Sequence, residues 1–460
     1  MTPYASILIP THDRASTLAA SLRSALGQSV ENIEVLICGD GVTDDVREIA
    51  SGFAERDARV RFLDFPKAPR RGAINMHRTL EEARSDRIFY NDDDDLLLPW
   101  HVETLGPALD EADFVCTPPA SIQTDGRIAL SLEDASHPAL RRMLADDKYK
   151  NVFDTHIAHR KSGYFSNRAN WENTPDRRAV SSMLKGFAEN RNIRWTNLQR
   201  ITALSFHGAA RTGIPARKRT AEIERWISHL DRPNPEAMLR RRGSYVFHTM
   251  RLFQALRKAG LFTDDALLAE IFGNNRNKAE LTSSQSRGVD AVGALIRREP
   301  VPQKAGRQLI EELADARLGP LFPVNTILNL FLGSMKRSQV LAFTEVCTPG
   351  PGISLLRFHL LAGQKRIRPA DIRLIDLEAK TLPDWRRFYF RLSVVEALEK
   401  AERPEDAWVR CEKMLKTMPE GTHHALPYLH VRERLAFALE HMAEAQNARA
   451  VRETLEKTLA

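Results

Sequence analysis

The four cysteines, Cys38, Cys116, Cys347 and Cys411, lie far apart and none belongs to a CxxC pair. That spacing offers neither a zinc site nor a disulfide framework, and a reducing compartment is the simple expectation. Long apolar runs are also missing. The nearest approach, residues 318–333, is broken by Pro320, Pro323, Asn325 and Asn329, so nothing reaches the ~18 apolar residues of a membrane-spanning helix. The opening MTPYASILIPTHDR lacks the basic start, apolar stretch and small-residue cleavage site of a signal peptide, and none is expected. A strong charge excess is absent too. Sixty-seven Lys and Arg against 60 Asp and Glu leave +7, which permits an anionic partner but does not call for nucleic acid. What remains is ordinary: 460 residues, 43% apolar and 28% charged, the composition of a globular chain with two or three domains.

The first third alternates short apolar runs with amphipathic segments. Strands are predicted over 5–9, 33–38, 60–65, 87–90 and 113–117, with helices over 44–55, 75–84 and 99–110 between them. A further helix, capped by Ser16, would carry Leu18, Leu22 and Leu26 on one face. This alternation implies βαβ units and a parallel sheet, which binds ligands beyond the carboxyl ends of its strands. After residue 117 the pattern changes. Asp125-Gly126 between 120–123 and 127–130 reads as a hairpin turn, and 201–206 as a late strand.

From about residue 215 the strand signals fade into helix punctuation. Pro235 opens a long segment that Gly260 closes; Pro383-Asp384 and Pro404-Glu405 open others. The end of the chain has the rhythm of helical hairpins of the tetratricopeptide type, without their Trp-Leu-Gly-Tyr pattern. The expected division is an α/β domain over 1–214 and an all-α region over 215–460, with hairpins over 383–460. Residues 211–260 hold twelve Lys and Arg against four Asp and Glu. The plainer reading is a solvated helical face; the sharper one is contact with an anionic membrane surface or an acidic acceptor.

Asn91-Asp92-Asp93-Asp94-Asp95, followed by Leu-Leu-Leu-Pro, ends the fourth strand. Packed carboxylates raise one another's pKa, and a divalent cation removes the conflict. Mg²⁺ commonly takes one or two carboxylates and fills its shell with water and substrate phosphates. Asp92 and Asp94, alternate residues of an extended chain, point the same way. The competing reading is an acidic turn in water, with Asp95 capping the next helix.

Three blocks stand in order: SILIPTHDR, ICGDGVTDD and NDDDDLLLP. Together they resemble family 2 glycosyltransferases of the GT-A fold, whose strands run "VSVIIPTYNR", "VDDGSTDDT" and "LDADDxLLP". The likeness is good over residues 4–110, looser over 111–210 and absent beyond. It implies a nucleotide-diphospho-sugar transferase domain using Mn²⁺ or Mg²⁺. Pro10, Thr11, His12 and Arg14 would surround the nucleotide, with His12 where Tyr is usual. Asp40 would hydrogen-bond the base; Gly39 replaces the first acid of that turn. Arg70 and Arg71 would meet the diphosphate, although Gly72–Arg78 departs from the usual "ARN" run. Asp92 and Asp93 would touch the donor, Asp92 and Asp94 the metal, and a late His207 would complete the metal or diphosphate site. For the general base the resemblance points to Asp176, in Thr174-Pro175-Asp176, with Glu172 second; Asp176 could equally cap the helix over 177–189. Trp171 fits either an acceptor wall or the core.

These readings imply an inverting transferase acting on a UDP-sugar and a glycan or lipid-linked acceptor. The setting implied is surface polysaccharide synthesis, in the cytoplasm or on the inner membrane face. The helical region is expected to serve the acceptor, a partner or a second copy. A Gly-rich loop of the GxGxRL type, the mark of sugar-nucleotide synthesis, is absent. The alternative is a degenerate domain acting as a scaffold through its helices.

Overall fold

The computed structural model describes residues 2–124, 126–173, 179–206, 211, 214–231, 233–262, 264–272, 281–315, 328, 331–332, 335–347, 350–382, 384–417, 425–439 and 441–459. By packing, the chain forms two compact units: Met1–Ala209 with Pro215–Gly293, and Ala210–Ile214 with Ala294–Ala460. The helical stretch that begins at Pro215 therefore packs, as far as Gly293, with the unit that carries the sheet.

In the first unit, β1 (Ala5–Thr11), β2 (Ile33–Asp40) and β3 (Val60–Phe65) are linked by α1 (Ala15–Leu26) and α2 (Asp44–Arg56). After α3 (Ala73–Glu82) comes β4 (Arg87–Tyr90). All four strands run parallel, with Thr11 opposite Gly39, Leu8 opposite Tyr90 and Asp40 opposite Phe65. Every residue of β2 is buried, as expected for a strand covered on both faces. Ile7, Ile9, Val35 and Ile37 pack against Leu18 and Leu22 of α1 and Val46 of α2.

Beyond β4 the chain adds β5 (Leu96–Leu97), β6 (Phe114–Cys116), β7 (Ala120–Ile122), β8 (Ile128–Leu130), β9 (Ile157–Arg160), β10 (Trp195–Asn197) and β11 (Ala203–Leu204). The main sheet has the order β10-β6-β9-β4-β1-β2-β3. The 113–117 strand is present as β6, but it does not neighbour β4. The antiparallel β9 stands between them, bonded to both. The late strand shrinks to β11 and pairs with β5 outside the main sheet. β7 and β8 form the expected hairpin; Asp125 of its turn lies outside the described residues, and Gly126 has φ +84°.

Two helix expectations need correction. Ser16 does not cap α1: the cap is Arg14, with no side-chain bond, and Ser16 sits in the first turn. The segment from Pro235 to Gly260 is two helices, Pro235–Arg242 and Val246–Lys258. Between them Ser244 N donates to Ile128 O, and Leu130 N donates to Ser244 O. The unpaired edge of β8 captures the chain there, and Gly243 allows it: a Cβ would fall 2.3 Å from Leu130 Cδ1.

The second unit is helical throughout its described residues. Its helices include Pro351–Ala362, Pro369–Thr381, Asp384–Lys400, Pro404–Lys416, Ala425–Ala438 and Met442–Leu459. Pro351, Pro369 and Pro404 occupy first turns, where no N–H is needed. The last four helices pack each on the next, around buried Phe390, Leu398, Tyr428 and Leu435. Among the described residues no helix is long and apolar enough to cross a membrane.

Candidate active site

The carboxyl ends of β1, β2 and β4 lie side by side, and the acids gather there. Asn91 N donates to Leu8 O, extending the ladder one residue past β4, and Asp95 N then donates to Asp92 O, closing a turn. Asp93 accepts Thr11 Oγ1 at 2.9 Å and Arg14 Nη1 at 2.8 Å. Asp94 accepts Arg14 Nη1 at 3.1 Å and Arg219 Nη2 at 2.8 Å. Asp95 accepts Thr155 Oγ1 and the backbone N–H of Phe206, both at 2.7 Å. It therefore anchors the turn to the approach to β9 and to the segment after β11, and caps no helix.

The electrostatics of the turn follow from burial. Burial, and then the neighbouring acids beginning with Asp154, hold the Asp92 carboxyl well above the usual carboxylate range. Burial pushes Asp93 up to about 6 against the pull of Arg14. Burial and Asp94 push Asp95 up to about 7, and burial lifts Asp154 to about 6. Burial disfavours charge on Arg14, but Asp93 and Asp94 outweigh it and fix the guanidinium in its charged form.

The crowding of acids is of the kind a divalent cation would relieve, with Asp92 and Asp94 as the residues that would hold it. Among the described residues five interacting carboxylates gather here, Asp92–Asp95 and Asp154; Arg14 pairs with Asp93 and Asp94, and Arg219 with Asp94. No three Asp, Glu, His or Cys side chains among the described residues converge into a ready-made cage. A cation bound here would take its other ligands from water and phosphate, the usual habit of Mg²⁺.

The nucleotide side is built by β1 and β2. Pro10 is half-buried and Thr11 buried. His12 is half-buried, and its Nδ1 has no hydrogen-bond partner among the described residues. Asp40 is spent on the loop that follows β3: it accepts Lys67 Nζ, Ala68 N and Asn75 Nδ2, each at 2.8 Å. Gly72 closes that loop at φ +74° against the Asp40 carboxyl. Arg70 stands exposed on the loop, its Nη1 3.5 Å from Glu172 O; the Arg71 side chain lies outside the described residues.

The two base candidates fare differently. Glu172 is exposed, its Oε2 3.8 Å from His77 Nε2, on a loop adjoining Arg70. Asp176 lies outside the described residues, as does His207. Trp171 belongs to the core: it is 2% exposed and meets Tyr90 edge-on at 5.2 Å. Three participants escaped the sequence reading. Asp154 and Thr155 carry no motif. Arg219 was hidden in the run Arg217-Lys218-Arg219, although Arg219, Ile223 and Trp226 share a helical face and all three are buried.

Residues 6–196 match glycosyl transferase family 2. An uncharacterized glycosyltransferase of Haemophilus influenzae is 34% identical over 95 residues, 21% of this chain and 38% of that protein. The chondroitin synthase of Pasteurella multocida is 35% identical over 101 residues, 22% of this chain and 10% of that protein. The chain thus spans well under half the length of these relatives. The solved S. aureus TarS 1-349 complex with UDP-GlcNAc overlays at 14% identity with a TM-score of 0.38, covering 74% of this chain and 89% of that one, an overlap too low to carry a functional argument.

Proposed function

We propose, from residues 6–196 forming a family 2 glycosyl transferase domain, that the chain moves a sugar from a nucleotide-sugar donor to a hydroxyl group of an acceptor. The observation that carries this reading is the Asp92–Asp95 turn, set at the carboxyl edge of the sheet beside Thr11, Arg14 and Asp40. The donor is UDP-linked, the acceptor a glycan or lipid-linked glycan, and the anomeric centre inverts. Asp92 and Asp94 would hold Mn²⁺ or Mg²⁺, which offsets the charge that gathers on a departing diphosphate. Thr11 and Arg14 fix Asp93 and Asp94 in place. Asp40 pins the loop that carries Arg70 and Arg71, the residues proposed to meet the phosphate oxygens. Asp176, or failing it Glu172, takes the proton of the acceptor hydroxyl from the side opposite the leaving group.

One observation favours a second reading, a degenerate domain acting as a scaffold through its helices: Asp40 already accepts from three protein donors, which leaves about one acceptor site for a base. A donor assay separates the two. Hydrolysis of UDP-sugars should require Mn²⁺ and should fall at least about 100-fold in Asp94→Asn. Unchanged turnover in that variant removes the metal assignment, and a chain with neither nucleotide binding nor turnover on any donor favours the second reading. The exposed Arg217, Lys218, Arg241 and Arg242 support contact with an anionic membrane face; fractionation into a wholly soluble pool at low salt counts against it.

A further inference from the structure

If the acid turn takes a nucleoside diphosphate with a divalent cation, as the preceding reading holds, one residue beyond the family domain takes part. Arg219 lies on α8 (Ala216–Leu230). Its side chain is 8% exposed; Nη2 is 2.8 Å from Asp94 Oδ2 and Nη1 3.2 Å from Glu222 Oε2. Arg14 already holds the other Asp94 oxygen at 3.1 Å. Both oxygens of a residue expected to bind a metal are therefore occupied by guanidinium groups. The helix itself is seated on α1. Thr220 Oγ1 donates to Ser16 O at 2.8 Å, Arg23 pairs with Glu224, and Ile223 and Trp226 are buried.

We propose that Arg219 is a donor-binding residue. It pairs with Asp94, yields that carboxylate to the incoming cation, and turns its guanidinium to the diphosphate that arrives with it. A divalent cation and a guanidinium compete for one buried oxygen, because like charges there are poorly screened. Diphosphate oxygens offer the guanidinium the paired acceptors it gives up. Only the side chain has to move, since Thr220 and the apolar face keep α8 on α1. Arg14 is less suited to the exchange: it bridges two acids of the turn, Asp93 and Asp94, whereas the second partner of Arg219, Glu222, lies on its own helix. The swap couples the two ligands: each binds poorly until the other is present.

The test measures Mn²⁺ binding by the loss of the free-ion paramagnetic resonance signal, and UDP or GDP binding by calorimetry, on the full chain. In the unmodified chain, nucleotide binding should tighten with Mn²⁺. In Arg219→Gln, Mn²⁺ alone should bind several-fold tighter, because its competitor is gone. UDP with Mn²⁺ should bind roughly tenfold weaker, because a charged contact is lost. Arg219→Lys should recover part of the nucleotide affinity. If Arg219→Gln does not fold, Arg219→Lys decides alone: nucleotide binding must weaken while Mn²⁺ binding does not. Parallel loss of both ligands, or no change in either, overturns the proposal. An unmodified chain that binds neither UDP nor GDP with Mn²⁺ overturns the donor reading itself, and this proposal with it.

Discussion

A methyl group on residue 72 would stand 2.7 Å from the Asp40 carboxyl carbon, on a backbone already at φ +74°. Gly72→Ala should therefore destabilise the first unit by about 2–4 kcal/mol, read by denaturant titration. It should also loosen the Arg70 loop, because Asp40 holds that loop through Ala68 N and Lys67 Nζ. Single residues were legible where their chemistry repeats in a motif. Thr11, Arg14 and the acids stood out as a set, and the structure brings them within hydrogen-bonding reach of one another. Asp154 and Thr155 were not legible, because an isolated acid and an isolated hydroxyl carry no pattern until the fold delivers them. Trp171 was ambiguous because an aromatic side chain suits a ligand wall and a core equally well; contact with Tyr90 decides for the core.

Elements were legible where one period dominates. β1 to β4 and their helices follow from short apolar runs alternating with amphipathic segments, the pattern of strands in a covered parallel sheet. β9 was missed because Ile157–Arg160 is four residues long and carries His159 and Arg160, a weak strand signal. Its place depends on pairing with β4 and β6, which no local pattern records. The break at Gly243 was missed for the same reason: the competing partner is the edge of a distant strand. Helix α7 (Ala179–Glu189) offers a test at this scale. Gly186 lets it press on the preceding loop, where a Cβ would fall 1.8 Å from Ala169 O. Gly186→Ala should cost at least about 2 kcal/mol in a melting experiment. Because Glu172 rides on that loop, turnover should fall more than nucleotide binding does.

Across the whole molecule, buried neutral histidines and buried carboxyls pull stability in opposite directions as pH falls. Burial depresses His101 to about 3 and His159 to about 4 in the first unit, and His359 to about 3 in the second. Each has a folded pKa below its unfolded value near 6.5, so its stabilisation is complete above about pH 6.5 and is lost as pH falls toward 4 and 3. Melting curves from pH 7 to pH 4 should show the second unit weakening; in the first unit the raised carboxyls of Asp92, Asp93, Asp95 and Asp154 take up protons in the folded state over the same range and oppose the two histidines. His359→Gln should flatten that dependence in the second unit alone, since Ser393 offers the new side chain a partner. The change from strand to helix signals near residue 215 was legible as a change of element type, but helices up to Gly293 still pack with the sheet.

The acid turn is also stitched from distant parts of the chain. Asp93 is held by Arg14, Asp95 by Phe206 and Asp94 by Arg219, across 79, 111 and 125 positions. During synthesis from the N-terminus, the four aspartates emerge long before their last two clamps. A nascent chain halted short of residue 219 would keep Thr11 and Arg14 on the loop but lack the second guanidinium on Asp94, and ribosomal release of α8 is the moment at which that last charge is matched.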